Sequence, residues 1–476
     1  MILNLYKKKT KLIIIFLFSL IFFSINSKSY DLLNLFISKI DLIIIINALR
    51  SVSPLITLIF LSILMSVNYI IYKKKIKLEI IIILFILFII FQLIGNIINP
   101  KVYKNFFEYS FLFQEHPNKN IIKYFILFDE HYYLINLLSI LIFFIFINNY
   151  YKYFKIEYLL IFTTLFLTLY NLPLFILVYK NFLLSDQFSG YATMATDPAT
   201  LLFNQSVPRT TGLSRSLLVI YIFLSTFYFF YKFKNNKFCL GMLFLSFLFG
   251  YFLWILQSRT ILFSKLILDA LFIASSNKNY KKKMFFFILF TITPVLLLYA
   301  TIFLKNLESR KAFITDFKEI ISYKSDYTNT KIVNQNRLFV TGTSGRTQIW
   351  NQIFTKSKDS LIFGYGSQSD RFYINRDKKE WSNASSAFFY SLICGGLLGV
   401  LAYFLICINI VKLVISSIKS EMLTLKNEIF CKVSIFILIS IILRSLVENS
   451  FMIFSIDNLL FLICYFILKK KLKTST

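Results

Sequence analysis

The sequence is poor in the residues on which many enzymes depend for catalysis or metal binding. Its 476 residues include two histidines and five cysteines. His116 and His131 are too few for a histidine-based metal site or a histidine-dependent catalytic triad. The cysteines are odd in number, lie in or beside apolar runs and lack metal-ligand spacing, so they indicate small hydrophobic residues rather than disulfide partners. The sequence therefore predicts no metal site.

Long apolar runs dominate what is present. Hydrophobic residues make up 57% of the chain, against roughly 45–50% in soluble domains. A run of about 20 such residues crosses a bilayer, where only a helix satisfies the backbone. The sequence predicts an all-α, polytopic transmembrane helix bundle of about twelve spans, with a large periplasmic loop between late spans. We place the spans at 12–27, 53–72, 78–98, 131–149, 158–178, 213–231, 238–257, 260–275, 284–304, 384–410, 431–447 and 454–468.

The first span and the segment after it need separate treatment. The lysines at 7–11 and the apolar stretch after them resemble a secretory signal. No Ala-x-Ala-like cleavage site follows, so we expect an uncleaved helix and cytoplasmic termini. For residues 28–52, two interpretations stay open. Lys39, Asp41 and Arg50 favour an interfacial helix on the outer surface, whereas the apolar stretch 42–49 favours a segment that dips into lipid.

Lysine and arginine are sorted to different connections. Seven short clusters that are predicted to be cytoplasmic contain 25 cations, and every one is lysine. A point charge is enough to hold a loop in the cytoplasm, whereas a rigid fork for phosphate or carboxylate requires arginine. The outer face is therefore predicted to bind anions, and the net charge of +29 does not indicate a nucleic-acid partner. The ten arginines, all in outer loops or at outer helix ends, are Arg50, Arg209, Arg215, Arg259, Arg310, Arg337, Arg346, Arg371, Arg376 and Arg444.

Three long connections, 99–130, 179–212 and 305–383, are predicted to face outward. The last contains 14 Lys/Arg and 8 Asp/Glu, but the positive-inside rule does not restrict loops of more than about 60 residues. A loop of this length between helices is typical of a functional segment. The predicted division is an N-terminal bundle (1–304), the large periplasmic loop (305–383) and C-terminal helices (384–476).

One arginine motif suits a phosphate group, and a second has two interpretations. Arg209 and Arg215 flank Gly212 just before a predicted helix, where helix N–H groups and two guanidinium forks can surround an anion. Arg259 lies in a very short outer turn. It either points into the bundle or extends to the lipid headgroups, and the sequence does not decide between the two.

Aromatic residues of the large loop suit a sugar. Arg346 and Trp350 share one face of a predicted helix. Tyr365 lies in a turn between Gly364 and Gly366. Aromatic rings close to polar groups stack on the C–H face of a sugar ring.

The entry into the tenth span combines polar residues with glycines. Asn383 and Ser385 can hold substrate hydroxyls, although helix capping is the alternative for the serine. Gly395, Gly396 and Gly399 are expected to permit close helix packing.

Two charge pairs at i, i+4 spacing lie near or inside predicted spans. Lys265 with Asp269, and Arg444 with Glu448, are each expected to neutralise one another. An ionisable pair at membrane depth also marks a possible functional site.

In order and spacing, these motifs resemble those of the bacterial O-antigen polymerase and ligase superfamily of polytopic glycosyltransferases. The resemblance covers roughly residues 180–465. It departs from the family pattern in one place, where Ser382-Asn383 replaces a His-Asn pair and the large loop contains no histidine. Ligases of this superfamily use that histidine, so its absence favours a polymerase. The matching residues are Arg209 and Gly212, Ser258 and Arg259, Gly345, Arg346 and Trp350, and Gly364 and Gly366.

The resemblance implies polymerisation of oligosaccharide repeat units linked to undecaprenyl pyrophosphate, at the periplasmic face of the bacterial inner membrane. Membrane lipids and a chain-length regulator are the implied partners, and no cofactor is needed. Arginine forks in a site shielded from water stabilise the leaving pyrophosphate. The residues expected to hold it are Arg209, Arg215, Arg259 and Arg346. Candidates for the base are Glu448, Asp370 and Asp197, with Asp326, Asp377 and Glu380 as further candidates, and a route assisted by arginine without a dedicated base stays open.

Two rival functions remain. An O-antigen ligase differs only in its acceptor, a lipid A-core. A lipid-linked oligosaccharide flippase should show charged or Gly/Pro-broken helices near the bilayer midplane. Here the distinctive residues lie outside, and Pro173 and Pro294 are the main prolines within spans. The flippase is therefore the less favoured alternative.

Overall fold

The computed structural model describes residues 2–25, 40–73, 76–99, 129–150, 154–184, 211–231, 236–256, 258–275, 279–305, 346–372, 384, 386–424, 429–448, 451–452 and 455–475. These residues form helices joined by turns, without a strand among them. The helices are α1 (Ile2–Ile25), α2 (Ile40–Tyr72), α3 (Ile80–Ile98), α4 (Asp129–Tyr150), α5 (Glu157–Leu184), α6 (Thr211–Phe230), α7 (Asn236–Ile255), α8 (Arg259–Ser275), α9 (Tyr280–Phe287), α10 (Thr293–Lys305), α11 (Arg346–Lys356), α12 (Ser369–Phe372), α13 (Ala387–Thr424), α14 (Ile429–Ser445) and α15 (Ile456–Ser475).

The twelve predicted spans coincide with helices. Eleven of them match one helix each, and the span at 284–304 matches α9 and α10, which a π-helical turn joins. Within the described ranges, five helices contain stretches long and apolar enough to cross a bilayer (α2, α3, α6, α7 and α13), and α1, α4 and α5 contain shorter apolar stretches. The protein is an all-α polytopic membrane protein, as the sequence predicts.

The second predicted span begins earlier than expected. Helix α2 runs for 33 residues without interruption, so residues 40–52 continue the span and do not form a separate interfacial helix. A helix of this length extends about 50 Å, beyond the roughly 30 Å hydrocarbon core. The rest of that prediction, residues 28–39, lies outside the described residues.

The lysine-rich ends of several helices meet at one end of the bundle. Lys473 Nζ lies 2.5 Å from Glu79 Oε1, so the end of α15 is joined to the start of α3. Lys470 donates to the carbonyl of Phe154 (2.8 Å), just before α5. Asn149, near the end of α4, accepts from the backbone N–H of Lys77 (2.8 Å) and donates to its carbonyl (3.0 Å). These are the ends that the lysine clusters predict to be cytoplasmic.

Helix α13 is broken in the middle. Gly396 has φ 62° and ψ −157°, so residues 387–395 and 397–424 are two helical halves and not one straight helix. An L-residue rarely adopts this conformation. A Cβ atom at Gly396 would lie 2.3 Å from the carbonyl oxygen of Ile362. The sequence analysis assigned close helix packing to this glycine, whereas the structure shows that it interrupts the helix.

The segment at 361–366 fills the break in α13. On one side, the N–H groups of Tyr365 and Gly366 donate to the carbonyls of Ile393 (2.8 Å) and Cys394 (3.1 Å). On the other side, the N–H groups of the second helical half donate to carbonyls of the segment, Leu397 to Leu361 (2.8 Å) and Leu398 to Ile362 (3.3 Å). Backbone groups inside a membrane protein need partners, and the segment at 361–366 supplies them to both halves of the broken helix.

A buried charge pair joins α8 to its neighbours. Lys265 Nζ lies 2.5 Å from Asp269 Oδ2, and the exposed fractions of the two side chains are 0% and 1%. Tyr221 of α6 donates its hydroxyl to the same carboxylate. The i, i+4 spacing predicts the Lys265–Asp269 pair, and the structure confirms it.

Lys265 also donates a hydrogen bond to a backbone carbonyl that has no α-helical N–H partner within its own helix. Lys265 Nζ donates to the carbonyl of Phe290 (2.7 Å) in the π-helical turn. In an α-helix this carbonyl would accept from residue 294, which is proline and has no N–H. The turn widens at this point, and the N–H of Thr293 bonds to Ile288, five residues back. Pro294 therefore frees a buried carbonyl, and a charged donor satisfies it.

Candidate functional site

Two arginines and two carboxylates form an ion cluster where α6, α14 and α15 meet. Arg215 Nε lies 2.9 Å from Glu448 Oε2, and a second nitrogen of Arg215 lies 3.6 Å from Asp457 Oδ2. Arg444 donates to both oxygens of Asp457, at 2.7 and 3.3 Å. We call these four residues the ion cluster. It lies at the opposite end of α15 from the lysines that bind Glu79.

The two pairs of the ion cluster differ in burial. The side chains of Arg444 and Asp457 are 1% and 0% exposed, whereas those of Arg215 and Glu448 are 16% and 7% exposed. The inner pair is also bidentate, the arrangement that best compensates the loss of water around two charges. The Arg444–Asp457 pair is therefore the fixed part of the cluster, and Arg215–Glu448 is its outer part.

This arrangement corrects the pairing that the sequence suggested. Glu448 lies 3.8 Å from Arg444, so the i, i+4 contact exists. It is the weaker contact for both residues, since Arg444 binds Asp457 closely and Glu448 binds Arg215. The partner of Arg215 is 233 residues away in the chain, and no local spacing could reveal it. Arg215, predicted to hold pyrophosphate, is thus held by carboxylates in this structure.

A second group of predicted residues meets at the start of α13. The indole N–H of Trp350 donates to the carbonyl of Ala384 (2.9 Å), and its ring stacks on Phe389 with 5.1 Å between ring centroids. The N–H of Ala384 donates to Asp370 Oδ2 (3.0 Å). Trp350 and Asp370, from separate helices, therefore hold one residue between them. The neighbours of that residue, Asn383 and Ser385, are the predicted hydroxyl-binding residues and lie outside the described residues.

The Gly364-Tyr365-Gly366 turn is a packing element. Tyr365 is 4% exposed and donates its hydroxyl to the carbonyl of Lys356 (3.0 Å). Its ring is thus in the protein interior, which corrects the prediction that it stacks on a sugar. Gly366 has φ 91°, and a Cβ atom there would lie 1.7 Å from Asn96 Oδ1. The resemblance led us to Gly364 and Gly366, and the structure shows that they let the turn approach α3.

Helix α3 supplies polar partners that the sequence analysis missed. Asn96 accepts from the N–H of Ser367 (2.8 Å), and Asn99 donates to the carbonyl of Gly364 (3.1 Å). Gly95 gives the turn room, because a Cβ atom there would lie 2.7 Å from the N–H of Gly366. A glycine and two asparagines at the end of a strongly apolar span were the available signal. They predict a buried, irregular backbone that needs side-chain partners.

The remaining predicted residues are only partly described. Arg346 is the first residue of α11 and is partly buried. Arg259 begins α8 and Gly212 lies in the first turn of α6, with backbone positions alone described. Asp197, Arg209 and Gly345, together with Asn383 and Ser385, lie outside the described residues. Among the predicted side chains that the structure describes, Arg215 therefore binds Glu448, and Trp350 and Asp370 both bind the backbone of Ala384.

Comparison with known proteins bears on the central part of the chain. Residues 243–404 match the family model described as O-antigen ligase. No curated protein and no solved structure matches the chain. The matched region contains Arg259, α11, the turn at 364–366 and the break in α13, whereas the four residues of the ion cluster lie outside it. The chain is a polytopic membrane protein, and its residues 243–404 are similar to the O-antigen ligase family.

Proposed function

We propose that the protein polymerises oligosaccharide repeat units linked to undecaprenyl pyrophosphate, at the periplasmic face of the bacterial inner membrane. The observation that carries the proposal is the family match, combined with a buried arginine cluster at the end of the bundle away from the lysines. The growing glycan is transferred from its pyrophosphate to a hydroxyl of the next lipid-linked unit. Membrane lipids surround the enzyme, and a chain-length regulator is its expected partner.

The arginines of the ion cluster suit this chemistry. Cleavage of the bond between sugar and pyrophosphate leaves negative charge on the departing oxygen, which fixed guanidinium groups in a site of low water content stabilise. Arg215 is the arginine of the cluster that a substrate can reach, since it is the more exposed of the two. Arg209, Arg259 and Arg346 are the further residues that we assign to the pyrophosphate.

Residues near Ala384 suit the glycan. Trp350 presents an indole ring that is partly exposed, and Asp370 fixes the backbone next to Asn383 and Ser385. We assign Trp350, Asn383 and Ser385 to sugar binding. An aromatic ring beside hydroxyl and amide groups holds a sugar by stacking and by hydrogen bonds.

The first test is deletion of the gene followed by gel analysis of surface polysaccharide. Surface lipid that carries a single repeat unit supports a polymerase. Absence of attached glycan, with lipid-linked polymer accumulating, indicates a ligase, the alternative that the name of the matching family favours. Accumulation of precursor on the cytoplasmic face indicates a flippase and contradicts both enzyme assignments.

Lysine substitutions at two arginines test the predicted pyrophosphate contacts. We expect Arg209→Lys and Arg346→Lys each to abolish long-chain glycan, because lysine keeps the charge but loses the bidentate fork. Protein level and membrane topology should stay at wild-type values. Arg310→Lys, in the same predicted loop as Arg346 but outside the matching motifs, is the control and should retain long chains. A wild-type distribution of chain lengths in both motif variants would contradict the assignment.

A further inference from the structure

The ion cluster is complete before any substrate binds. Two guanidinium groups face two carboxylates, so its formal charges cancel within the described residues. A pyrophosphate group adds at least two negative charges to such a site. It can take the Nε–H of Arg215 only if Glu448 gives up that donor, and the repulsion between the two anions favours this release.

The contacts of the two carboxylates indicate which of them releases its arginine. Asp457 is fully buried, lies in the first turn of α15 and is held at both oxygens by Arg444. Glu448 has one close partner, Arg215 Nε at 2.9 Å, and its other arginine contact is at 3.8 Å. Glu448 also lies in the turn that follows α14, whose last residue is Ser445. It can therefore shift without unwinding a helix.

We propose that donor binding releases Glu448 from Arg215, and that the released carboxylate is the base of the transfer reaction. This inference rests on the proposed function. The donor pyrophosphate then binds the Arg215 guanidinium, while Arg444 remains paired with Asp457. The titratable and charged groups that face Glu448 among the described residues are then Arg444 and Asp457, together with the bound pyrophosphate.

The step balances as a single displacement. The hydroxyl oxygen of the acceptor sugar forms a bond to the anomeric carbon of the donor, and the bond from that carbon to the pyrophosphate oxygen breaks. The electron pair leaves with undecaprenyl pyrophosphate, where Arg215 stabilises it. The hydroxyl proton passes to Glu448 Oε2. A carboxylate that no longer binds Arg215 has an oxygen free to accept that proton.

If Glu448 must leave Arg215 before the donor binds, Glu448 competes with the donor for this arginine. A residue with a purely structural role would not compete in this way. In Glu448→Gln, the carboxylate closest to Arg215 is gone, and Asp457 Oδ2 stays 3.6 Å from it. Inorganic pyrophosphate should therefore bind the purified full-length protein several-fold more tightly than it binds the wild type. Isothermal titration in lipid nanodiscs measures this affinity. Asp359→Asn, which neutralises an exposed carboxylate in the 3-10 turn, is the matched control and should leave the affinity unchanged.

The same variant should lose turnover. With lipid-linked repeat units extracted from the deletion strain, we expect kcat to fall by a factor of about 100 or more while KM is unchanged or lower. Weaker pyrophosphate binding together with a wild-type kcat would overturn the proposal. If Glu448→Gln does not fold, pyrophosphate affinity and kcat are measured for Glu448→Asp in its place. Its shorter side chain withdraws from Arg215, so tighter pyrophosphate binding with a lower kcat supports the proposal, and wild-type values of both overturn it.

Failure of this inference differs from failure of the proposed function. A wild-type protein that polymerises the extracted units, with a fully active Glu448→Gln variant, removes Glu448 as the base and leaves the polymerase assignment intact. A wild-type protein that neither polymerises the extracted units nor binds pyrophosphate contradicts the polymerase assignment itself.

Discussion

Replacement of Gly396 by alanine is expected to prevent the protein from reaching its folded state. The residue has φ 62° and ψ −157°, a region that costs an L-residue about 1–3 kcal/mol. The added Cβ atom would also lie 2.3 Å from the carbonyl oxygen and 2.4 Å from the carbonyl carbon of Ile362. These are backbone atoms and cannot rotate away. Relief of the clash requires the segment at 361–366 to leave the break in α13.

The measurement is the thermal unfolding midpoint of the protein in detergent, together with its level in the membrane. Gly241→Ala is the matched control, because a Cβ atom at this helical glycine meets nothing within 4 Å. Alanine is favoured over glycine in a helix by about 1 kcal/mol, so the control should be as stable as the wild type or slightly more stable. A Gly396→Ala variant with a wild-type midpoint would show that the break is not a fixed feature.

Loss of the carboxylate at Asp269 is expected to have the second large effect. Asp269→Asn leaves the ammonium of Lys265 fully buried without its counter-charge. Breaking such a pair from one side costs about 3–5 kcal/mol. The double variant Lys265→Met with Asp269→Leu removes both charges and should recover most of this stability. Recovery stays incomplete, because Tyr221 loses its acceptor and the carbonyl of Phe290 loses its donor.

The expected order of unfolding midpoints is therefore wild type, then the double variant, then Asp269→Asn. Addition of Tyr221→Phe to the double variant removes a buried hydroxyl that has lost its carboxylate acceptor, so it should raise the midpoint further. A single variant as stable as the wild type, or a double variant less stable than the single, would contradict this account of the pair.

The positions of the helices could be predicted because a bilayer imposes length and apolarity on each span separately. Lysine clusters then mark the connections, and both signals can be read from local sequence. The Lys265–Asp269 pair was predictable for the same reason, since its members lie four residues apart on one helix. Its contact with Phe290 was not, because that contact depends on the effect of Pro294 on a different helix.

The candidate site was predicted only in part, because its contacts join distant segments. Sequence spacing suggested that Arg444 pairs with Glu448, whereas the closer partners are Asp457 and Arg215. Gly364 and Gly366 were recognised as a motif, but their physical reason is the approach of α3 and the broken helix. Tyr365 was assigned to a sugar on the basis of its aromatic ring, and its burial corrects that assignment. The assignments of Arg209, Asn383 and Ser385 stay predictions.

The broken helix also limits how the large loop can be studied. Removal of residues 357–366 would take away the donors to Ile393 and Cys394 and the acceptors of Leu397 and Leu398, all of them inside a membrane protein. A truncated protein would therefore misfold for a reason unrelated to catalysis. An isolated fragment of the loop faces the converse difficulty, because the groups that give the 361–366 turn its shape belong to α3 and α13. Single substitutions in the intact chain are consequently the informative way to separate the chemistry of this loop from its architecture.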